Sequence, residues 1–451
     1  MFKHVLIIGD KDFTESVEEI LSQANYLPHR CWSLDHLFEK ISNSDVVVLD
    51  EDYLALKSDN IFSQITEIVK EKKKVFLIIS SRKLPLAVLD AFDSGINYFI
   101  AKPYNHREFI SNLNAIVEKK TRITCVGGGT GLFTLLMGLK TIKDIYLTSI
   151  VSMSDDGGSS GRLKWAFGML PPGDIRRSLV ALSNAPGLMN DIMQYRFQRG
   201  NELEGHCFGN LFLAALSEIR GSMSEAVRVL GDILNISGIV LPVTNIPTTL
   251  CSKFEDGTII MGESNIDLSK ERSGDLAIDK IWHEPPTVLN IDAASAIVNC
   301  DVIIIGPGDL YTSILTNFLV GVFREAMNKS PAIKIYICNL MTKPGETAHF
   351  GVKEHVREVV SYLGEDVLDY VIVSNTPLSE EAIAEYALKQ QYPVHLQSTD
   401  DLKGITKAQV VLADIGHETH LVRHDSKKLA MEIMNIIKTK VEINNEESCK
   451  Q

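Results

Sequence analysis

The chain has 451 residues, 45% of them hydrophobic and 23% charged, fractions that exclude a chain disordered throughout and predict two or three folded domains. The longest apolar runs, such as Val302–Ile305, are too short to cross a bilayer, and no signal-peptide pattern opens the sequence. The formal net charge of −13 argues against general affinity for nucleic acid, although a small anion can still bind at a local cationic site.

The seven cysteines form no CxxC pair, and most of them lie within apolar runs. This pattern is typical of reduced, packed thiols rather than of a disulfide framework or a zinc site. We therefore expect a cytoplasmic protein.

Residues 1–120 alternate strands and helices. The runs HVLIIG, DVVVLD and VFLIIS are continuously apolar, as expected for parallel strands buried on both faces. Segments with apolar residues at helical spacing separate them, and HREFISNLNAIVEKK ends the unit. The pattern predicts a doubly wound, parallel α/β domain.

Four polar residues follow the predicted strands of this domain: Asp10, Asp50, Ser80 and Lys102. Phosphorylation of an aspartate needs such a set, namely a nucleophilic carboxylate, a further acid for Mg²⁺, a hydroxyl and a cation. On these residues and the tail GINYFIAKPYN, the domain resembles the response-regulator receiver family, which implies that Asp50 is a phosphoacceptor in a phosphorelay. That family usually has two adjacent acids after the first strand, where this chain has Gly9 and Asp10. A degenerate receiver used for docking or dimerisation is therefore the alternative.

Residues 121–440 continue the alternation without a flexible linker and predict a larger, Rossmann-like nucleotide-binding α/β domain. Its candidate strands include residues 144–152, 239–243, 287–291, 301–306, 333–338, 369–374 and 392–396. The run CSKFEDGTIIMGE predicts a hairpin, since Asp-Gly between two alternating runs favours a tight turn. The polar residues 441–451 are expected to form a disordered tail.

A glycine-rich turn, GGGTG at residues 127–131, joins a predicted strand to a helix. Glycines allow the backbone to approach a phosphate closely, and the N-terminus of the helix presents free N–H groups. The candidate binding residues in this turn are Gly128, Gly129, Thr130 and Gly131. Leu132 stands where a dinucleotide fingerprint has its last glycine, so the fingerprint is incomplete.

Two acids, Asp155 and Asp156, follow the next strand, where they suit a ribose hydroxyl or a divalent ion such as Mg²⁺. Arg162 lies shortly after them. Downstream, PPGDIRRSLVAL predicts a helix with Asp174 as its N-cap and Arg176 in its first turn. Because the helix dipole disfavours a cation there, this arrangement favours a phosphate bound between Arg176 and the glycine turn.

Three more loops place glycines or polar residues next to predicted strands and helices. The carboxyl ends of parallel strands meet at one edge of a sheet, so we expect these loops to line one site. Their candidate residues are Asn210, Gly306, Gly308, Tyr311, Thr312 and Asn339. His206, close to Asn210, is expected to be a structural histidine.

The motifs GGGTGL, SDDGGSSGRL, PPGDIRRSLVAL, HCFGNLFLAAL, GPGDLYTSIL and ICNLMTKPGET, in this order, resemble the gluconeogenesis factor family. That family is related to 2-phospho-L-lactate transferase of coenzyme F420 assembly, and the resemblance covers about residues 121–440. It implies binding of UDP-sugars, notably UDP-N-acetylglucosamine, and a role in cell shape and wall growth on gluconeogenic carbon sources. It also implies that Tyr386 and Arg423 contact the sugar nucleotide, by stacking and by diphosphate binding.

Three functions are compatible with these patterns. The first is a cytoplasmic, homodimeric regulator that senses a UDP-sugar and acts on a protein partner. The second is a phosphotransferase similar to 2-phospho-L-lactate transferase, with Mg²⁺ held by Asp155 or Asp156. The third is a nicotinamide oxidoreductase, against which the incomplete fingerprint counts. Mg²⁺ is the only cofactor that the sequence suggests for the first two functions.

Overall fold

The computed structural model describes residues 3–32, 36–56, 59–72, 74–96, 98–267, 276–419 and 421–448. It divides into two units, the first formed by Met1–Thr121 together with Ile291–Asn299, and the second by Arg122–Asn290 and Cys300–Gln451. The sequence places Ile291–Asn299 within the second domain, whereas the structure groups this helix with the first unit. Cys449 and the last residues of the expected tail lie outside the described residues.

The first unit is built on five parallel strands in the order β2-β1-β3-β4-β5. This is the flavodoxin-like order of a doubly wound sheet, so the predicted fold class is confirmed for this unit. The strands are β1 (His4–Ile8), β2 (Leu27–Cys31), β3 (Val46–Asp50), β4 (Val75–Ser80) and β5 (Tyr98–Ala101). The helices are α1 (Lys11–Gln23), α2 (Leu37–Ser42), α3 (Glu51–Ala55), α4 (Asp59–Glu71), α5 (Pro85–Asp93), α6 (His106–Val117) and α14 (Ile291–Asn299).

Burial of apolar side chains explains these elements. The central strands β3 and β4 are buried almost throughout, because helices cover both faces of the sheet. α1 buries Val17, Ile20 and Leu21 on one face, at the helical spacing visible in the sequence. Asp10 caps α1, since its carboxylate accepts a hydrogen bond of 2.8 Å from the N–H of Phe13. Because the strands are parallel, their carboxyl ends share one edge of the sheet. Asp10, Asp50, Ser80 and Lys102 lie at or just after these ends.

The second unit contains a seven-stranded sheet in the order β15-β14-β13-β12-β6-β7-β8, and its registered pairs are parallel. The strands are β6 (Thr121–Gly127), β7 (Ile145–Val151), β8 (Ile239–Pro242), β12 (Val302–Ile305), β13 (Ile333–Ile337), β14 (Tyr370–Ser374) and β15 (Gln409–Ala413). The chain runs outward from β6 to β8, and later runs the other way from β12 to β15. The switch point of this Rossmann-like sheet, where ligands usually bind, thus lies between β6 and β12.

Two small sheets complete the second unit. The first is antiparallel, in the order β10-β9-β11, and consists of β9 (Thr249–Phe254), β10 (Ile259–Met261) and β11 (Ile278–Glu284). Its β9–β10 pair is the predicted hairpin, with Gly257 at a φ of +86° in the turn. The second is the antiparallel pair of β16 (Gly416–Glu418) and β17 (Val422–His424).

The helices of the second unit flank these sheets. They are α7 (Gly129–Leu139), α8 (Gly158–Phe167), α9 (Pro172–Leu182), α10 (Gly187–Gln194), α11 (Phe208–Arg220), α12 (Met223–Ile233), α13 (Glu263–Asp267), α15 (Thr316–Phe318), α16 (Phe323–Lys329), α17 (Val352–Leu363), α18 (Glu380–Ala387) and α19 (Ser426–Ser448). Short 3-10 turns span Asn201–Leu203 and Thr399–Leu402, and a π-helical turn spans Leu310–Leu315. Because α19 continues to Ser448, most of the segment expected to be a disordered tail has helical backbone.

Two predicted strands of the second unit are wrong. Residues 287–291 form only the isolated bridge of Val288 with Gly321, and residues 392–396 only that of Pro393 with Met341. In the first segment the N–H groups of Leu289 and Asn290 donate to two different segments, at Gly321 and Val243, so no continuous ladder forms. Pro393 lies inside the second segment. A proline has no N–H to donate to a strand ladder.

The six described cysteines are buried, in agreement with packed thiols. They are Cys31, Cys125, Cys207, Cys251, Cys300 and Cys338. Within the described ranges, no helix combines the length and the apolar character that a membrane crossing requires.

Helix α7 packs against α19 through Gly138, and this contact provides a test of the fold. A Cβ atom at Gly138 would lie 1.9 Å from the carbonyl oxygen of Ser426, a backbone atom that cannot move aside alone. We expect Gly138→Ala to lower the free energy of unfolding by about 1–3 kcal/mol through overpacking, measured by urea titration followed by circular dichroism. Gly187→Ala is the matched control, since a Cβ atom there would have no neighbour within 4 Å. Equal stability of the two variants would contradict this packing.

Candidate functional site

The turns that follow β6 and β12 lie against each other at the switch point. A Cβ atom at Gly131, in the first turn of α7, would lie 2.2 Å from the carbonyl oxygen of Pro307, so only glycine permits this approach. A cavity of about 360 Å³ opens beside the two turns, within the size range of small-molecule sites. The site edge predicted from the topology of parallel sheets therefore contains a cavity.

The cavity collects residues from five segments of the second unit. Predicted binding residues that line it are Thr130, Gly131, Gly308, Asn339, Tyr386 and Arg423. Lining residues outside the predicted set are Thr134, Pro307, Asp309, Leu340, Met341, Thr342, Lys343, Gln391, Leu421, Val422 and His424. The wall thus combines a helix N-terminus, two turns after strands, and the β16–β17 hairpin.

Two polar atoms of the cavity wall are buried and have no hydrogen-bond partner among the described residues. They are Oδ1 of Asn339 and Nε2 of His424. The amide nitrogen of Asn339 donates to the carbonyl oxygen of Gly308 at 2.9 Å, which orients the side chain. Burial lowers the pKa of His424 to about 4, so its imidazole is neutral at neutral pH. An unpaired buried polar atom costs free energy unless a ligand or water pairs with it.

Arg423 lies on β17 and is exposed at the cavity, and Tyr386 determines where this strand lies. The hydroxyl of Tyr386 accepts a hydrogen bond of 2.7 Å from the N–H of Val422, the residue before Arg423. The ring of Tyr386 is buried, and the ammonium of Lys389 lies 5.6 Å from its centroid. In this arrangement Tyr386 positions the hairpin rather than presenting a free face for stacking.

Lys343 joins three acidic side chains at one end of the cavity. Its ammonium lies 2.7 Å from Asp267, 2.6 Å from Asp309 and 2.7 Å from Glu346. Burial opposes the charge, but the carboxylates of Glu346, Asp309 and Asp267 raise the pKa of Lys343 well above its usual value. The positive charge of Lys343 is therefore already compensated by carboxylates. The guanidinium of Arg423 adds a second positive charge to the cavity wall.

The predicted residues Tyr311 and Thr312 do not face the cavity. Both are buried, and their N–H groups donate to Oε2 of Glu346 at 3.1 and 3.4 Å, while the Thr312 hydroxyl donates to Oε1 at 3.0 Å. Glu346 thereby satisfies the start of the π-helical turn. Gly306, Gly128 and Gly129 also fall outside the lining, although they shape the turns beside it.

Asp174 is not an N-cap, because α9 begins at Pro172 and Pro171 occupies the cap position. Its buried carboxylate instead accepts a hydrogen bond of 2.8 Å from the N–H of Gly129 and thus connects α9 to the glycine turn. Burial and the nearby charge of Asp155 raise the pKa of Asp174 to about 6.

Arg176 lies beyond the first turn of α9 and outside the cavity, so the expected phosphate between it and the glycine turn is not supported by the geometry. The side chain is buried, and Nε donates to Oδ1 of Asn210 at 2.9 Å. The amide nitrogen of Asn210 lies 3.2 Å from the hydroxyl of Ser159, which is also 3.1 Å from Nδ1 of His206. These residues form an internal polar network, in which His206 is a structural histidine.

Asp155 and Asp156 each accept a hydrogen bond from a different backbone N–H, and a Mg²⁺ ion held by either acid stays a prediction. Oδ1 of Asp155 accepts from the N–H of Gly157 at 3.0 Å, and Oδ1 of Asp156 accepts from the N–H of Ser264 at 2.8 Å. In the part of the chain that the structure describes, no group of three or more His, Cys, Asp or Glu residues has the arrangement to hold a metal ion. Arg162 donates to the carbonyl oxygen of Glu204 at 2.9 Å.

In the first unit, two of the four predicted receiver residues, Asp50 and Lys102, are in contact at one edge of the sheet, while Asp10 caps α1. The ammonium of Lys102 lies 2.7 Å from Oδ1 of Asp50, and the hydroxyl of Ser80 accepts from the N–H of Arg82 at 3.1 Å. Burial raises the pKa of Asp50, although Lys102 acts in the opposite direction. Asp52, which sequence reasoning missed, also binds Lys102, at 2.9 Å.

Comparison with known proteins identifies the family of the second unit. The family model for 2-phospho-L-lactate transferase CofD matches residues 123–415. The chain belongs to the CofD family. The gluconeogenesis factor of Bacillus subtilis is 39% identical over 321 residues, which cover 71% of this chain and 99% of the relative. A crystal structure of a upf0052 family member from Bacillus halodurans is 38% identical, has a TM-score of 0.66, and covers 70% of this chain and 99% of its own.

Two lining residues of this CofD-family unit could have been found from motifs already recognised. Lys343 belongs to ICNLMTKPGET, the turn after β13, and His424 follows Arg423 directly. The sequence carried no signal that Lys343 pairs with Asp267, because these residues lie 76 positions apart. The match to the CofD family model ends at residue 415, before Arg423 and His424. The β16–β17 hairpin, which forms one side of the cavity, therefore lies outside the matched region.

The raised pKa of Asp174 predicts a pH-dependent stability. The folded chain keeps the proton where the unfolded chain has lost it, so the ionised carboxylate destabilises the fold as pH rises from about 4 to 6. Asp174→Asn removes the buried negative charge that destabilises the fold at higher pH, and its amide oxygen can still accept from the N–H of Gly129. Relative to wild type, its free energy of unfolding should increase by on the order of 1–3 kcal/mol between about pH 4.5 and about pH 7.5, measured by urea titration. Asp191→Asn, at an exposed position of α10, should show no such trend. A pH-independent difference for Asp174→Asn would contradict the burial argument.

Proposed function

We propose that this CofD-family chain is a cytoplasmic regulator that binds a UDP-sugar, namely UDP-N-acetylglucosamine, and controls cell shape and wall growth under gluconeogenic conditions. Relatives named gluconeogenesis factor, which the chain matches over most of their length, support this choice. The residues around the cavity supply the physical argument.

The observation that carries the proposal is one cavity wall that combines a guanidinium with the first turn of a helix. Arg423 lies on this wall together with Thr130 and Gly131 of α7. The N–H of Gly129 is already bound to Asp174, whereas the N–H groups of Thr130 and Gly131 have no acceptor within the helix. The helix dipole favours anions at this end. A guanidinium and such N–H groups together suit the two phosphates of a nucleotide diphosphate.

The unpaired atoms of Asn339 and His424 suit the uncharged part of the same ligand. Oδ1 of Asn339 can accept a hydrogen bond from a base or sugar, and the neutral imidazole of His424 can donate or accept one at Nε2. In this proposal Arg423 and α7 bind the diphosphate, while Asn339 and His424 orient the groups attached to it.

For the first unit we propose a receiver-like domain that contacts a protein partner or, in a homodimer, a second copy of the chain. The five-stranded order and the meeting of Asp50 with Lys102 at the sheet edge support the receiver-like assignment. The regulatory output of the chain then depends on protein contacts rather than on release of a product.

Calorimetry on the full chain tests the ligand. We expect heat of binding with UDP-N-acetylglucosamine and none with NAD, and chromatography after incubation with MgCl₂ should recover the sugar nucleotide unchanged. A new nucleotide product would instead favour the transferase function suggested by the family. Absence of binding for every UDP-sugar tested would refute the proposal.

Arg423→Ala should raise the dissociation constant for UDP-N-acetylglucosamine on the order of 10–100-fold, since hydrogen bonds to a charged group contribute about 1.5–3 kcal/mol. Calorimetry gives the constant, and circular dichroism checks the fold. Lys427→Ala is the matched control, because this cation is exposed on α19 and does not line the cavity. Equal affinity of wild type and Arg423→Ala would contradict the role of Arg423.

Tyr386→Phe separates positioning from stacking. The variant keeps the ring but leaves the N–H of Val422 unpaired, so the hairpin that carries Arg423 loses a support. We expect the dissociation constant to rise roughly 3–30-fold, in line with about 1–2 kcal/mol for a lost acceptor. Tyr392→Phe, a tyrosine outside the lining, should bind as wild type does. Unchanged affinity of Tyr386→Phe would favour stacking instead.

A further inference from the structure

Asp52 lies two residues after β3, and its carboxylate is held by three donors. It accepts hydrogen bonds from the N–H of Ser81 at 3.2 Å, from the hydroxyl of Ser81 at 2.6 Å and from the ammonium of Lys102 at 2.9 Å. Burial acts in the opposite direction, but the hydrogen bonds from Ser81 and Lys102 lower the pKa of Asp52. Asp52 is therefore ionised at neutral pH. A backbone N–H, a hydroxyl and a cation are the donors with which proteins hold oxyanions.

This cradle lies directly beside Asp50. Lys102 is shared between the two carboxylates, and Oδ1 of Asp50 also accepts from the N–H of Asp52 at 3.1 Å. A phosphoryl group on Asp50 would need the same donors that Asp52 already occupies. It would also place further negative charge next to one cation that two carboxylates already share.

We propose that Asp52 is the built-in occupant of an oxyanion site formed by Ser81 and Lys102, and that it prevents phosphoryl transfer to Asp50. In the transfer from an acyl phosphate, an oxygen of Asp50 would form a bond to phosphorus while the bond from phosphorus to the acyl oxygen breaks, and the acyl carboxylate would leave. While Asp52 is in place, the resulting phosphoryl oxygens compete with it for Lys102 and for both donors of Ser81. The contacts at this edge of the sheet then do not change with phosphorylation. The first unit would serve as a docking domain with a single conformation.

The space next to Asp50 just after β1 agrees with this assignment. A Cβ atom at Gly9 would lie 2.4 Å from Cδ1 of Phe13 and 3.2 Å from Cβ of Asp50, so a second acid cannot be added there without moving Phe13. The Phe13 ring lies 5.4 Å from the ammonium of Lys102. Lys102 thus lies beside Phe13 and between the two carboxylates.

Beryllofluoride binding tests the proposal, because this ion mimics a phosphoryl group on an aspartate and does not hydrolyse. Fluorine NMR of the full wild-type chain with MgCl₂ should show no bound signal. Asp52→Asn, which removes the charge and keeps the shape, and Asp52→Ala should each lower the dissociation constant about tenfold or more. Adding Asp50→Asn to either variant should remove the signal. Glu19→Gln, at an exposed carboxylate of α1, should behave as wild type.

Two results would overturn the proposal. One is bound beryllofluoride in the wild-type chain at the affinity of the Asp52 variants. The other is no bound signal in either Asp52→Asn or Asp52→Ala while their circular dichroism spectra match wild type.

Discussion

The close approach of two backbone turns, one after β6 and one after β12, is the constraint on which the cavity of the CofD-family unit depends. Any side chain at residue 131 would overlap the carbonyl group of Pro307, and a Cβ atom at Gly128 would lie 2.4 Å from the hydroxyl of Ser152. Glycine at both positions permits this approach, and Thr130 and Gly131 of the first turn of α7 line the cavity. The backbone therefore forms one wall, and the specific polar side chains come from other segments.

Those side chains differ in how far their charges and hydrogen bonds are already satisfied. Lys343 is compensated by three carboxylates, so it holds the segments around it together and contributes little free positive charge. Asn339 and His424 retain unpaired buried atoms. Arg423 lies on a short hairpin whose position depends on the hydroxyl of Tyr386. A ligand would thus pair with the atoms of Asn339 and His424 and would not need to displace the carboxylates that hold Lys343.

The two units present opposite cases of the same architecture. Both place polar residues at the carboxyl edge of a parallel sheet, where ligands usually bind. In the second unit the edge keeps unpaired polar atoms and a cavity. In the first unit Asp50, Asp52, Ser81 and Lys102 already satisfy one another. The pairing of the side chains, rather than their identity, distinguishes an open site from a closed one.

The sequence by itself determined the two parallel sheets, because strands buried on both faces are continuously apolar. It also located the glycine turns, because runs of glycine directly after an apolar strand are visible in the sequence. It misplaced a strand at residues 287–291, whose N–H groups donate to two separate segments, and another at 392–396, where Pro393 has no N–H to donate. It also assigned Asp174 to a cap when its partner is Gly129. Only the tertiary structure decided which polar side chains meet. Asp52 and Lys102 are 50 residues apart, and Asp267 and Lys343 are 76 apart, so no local pattern records their pairing. Periodicity reports the burial of a segment, whereas a binding site depends on contacts between distant segments.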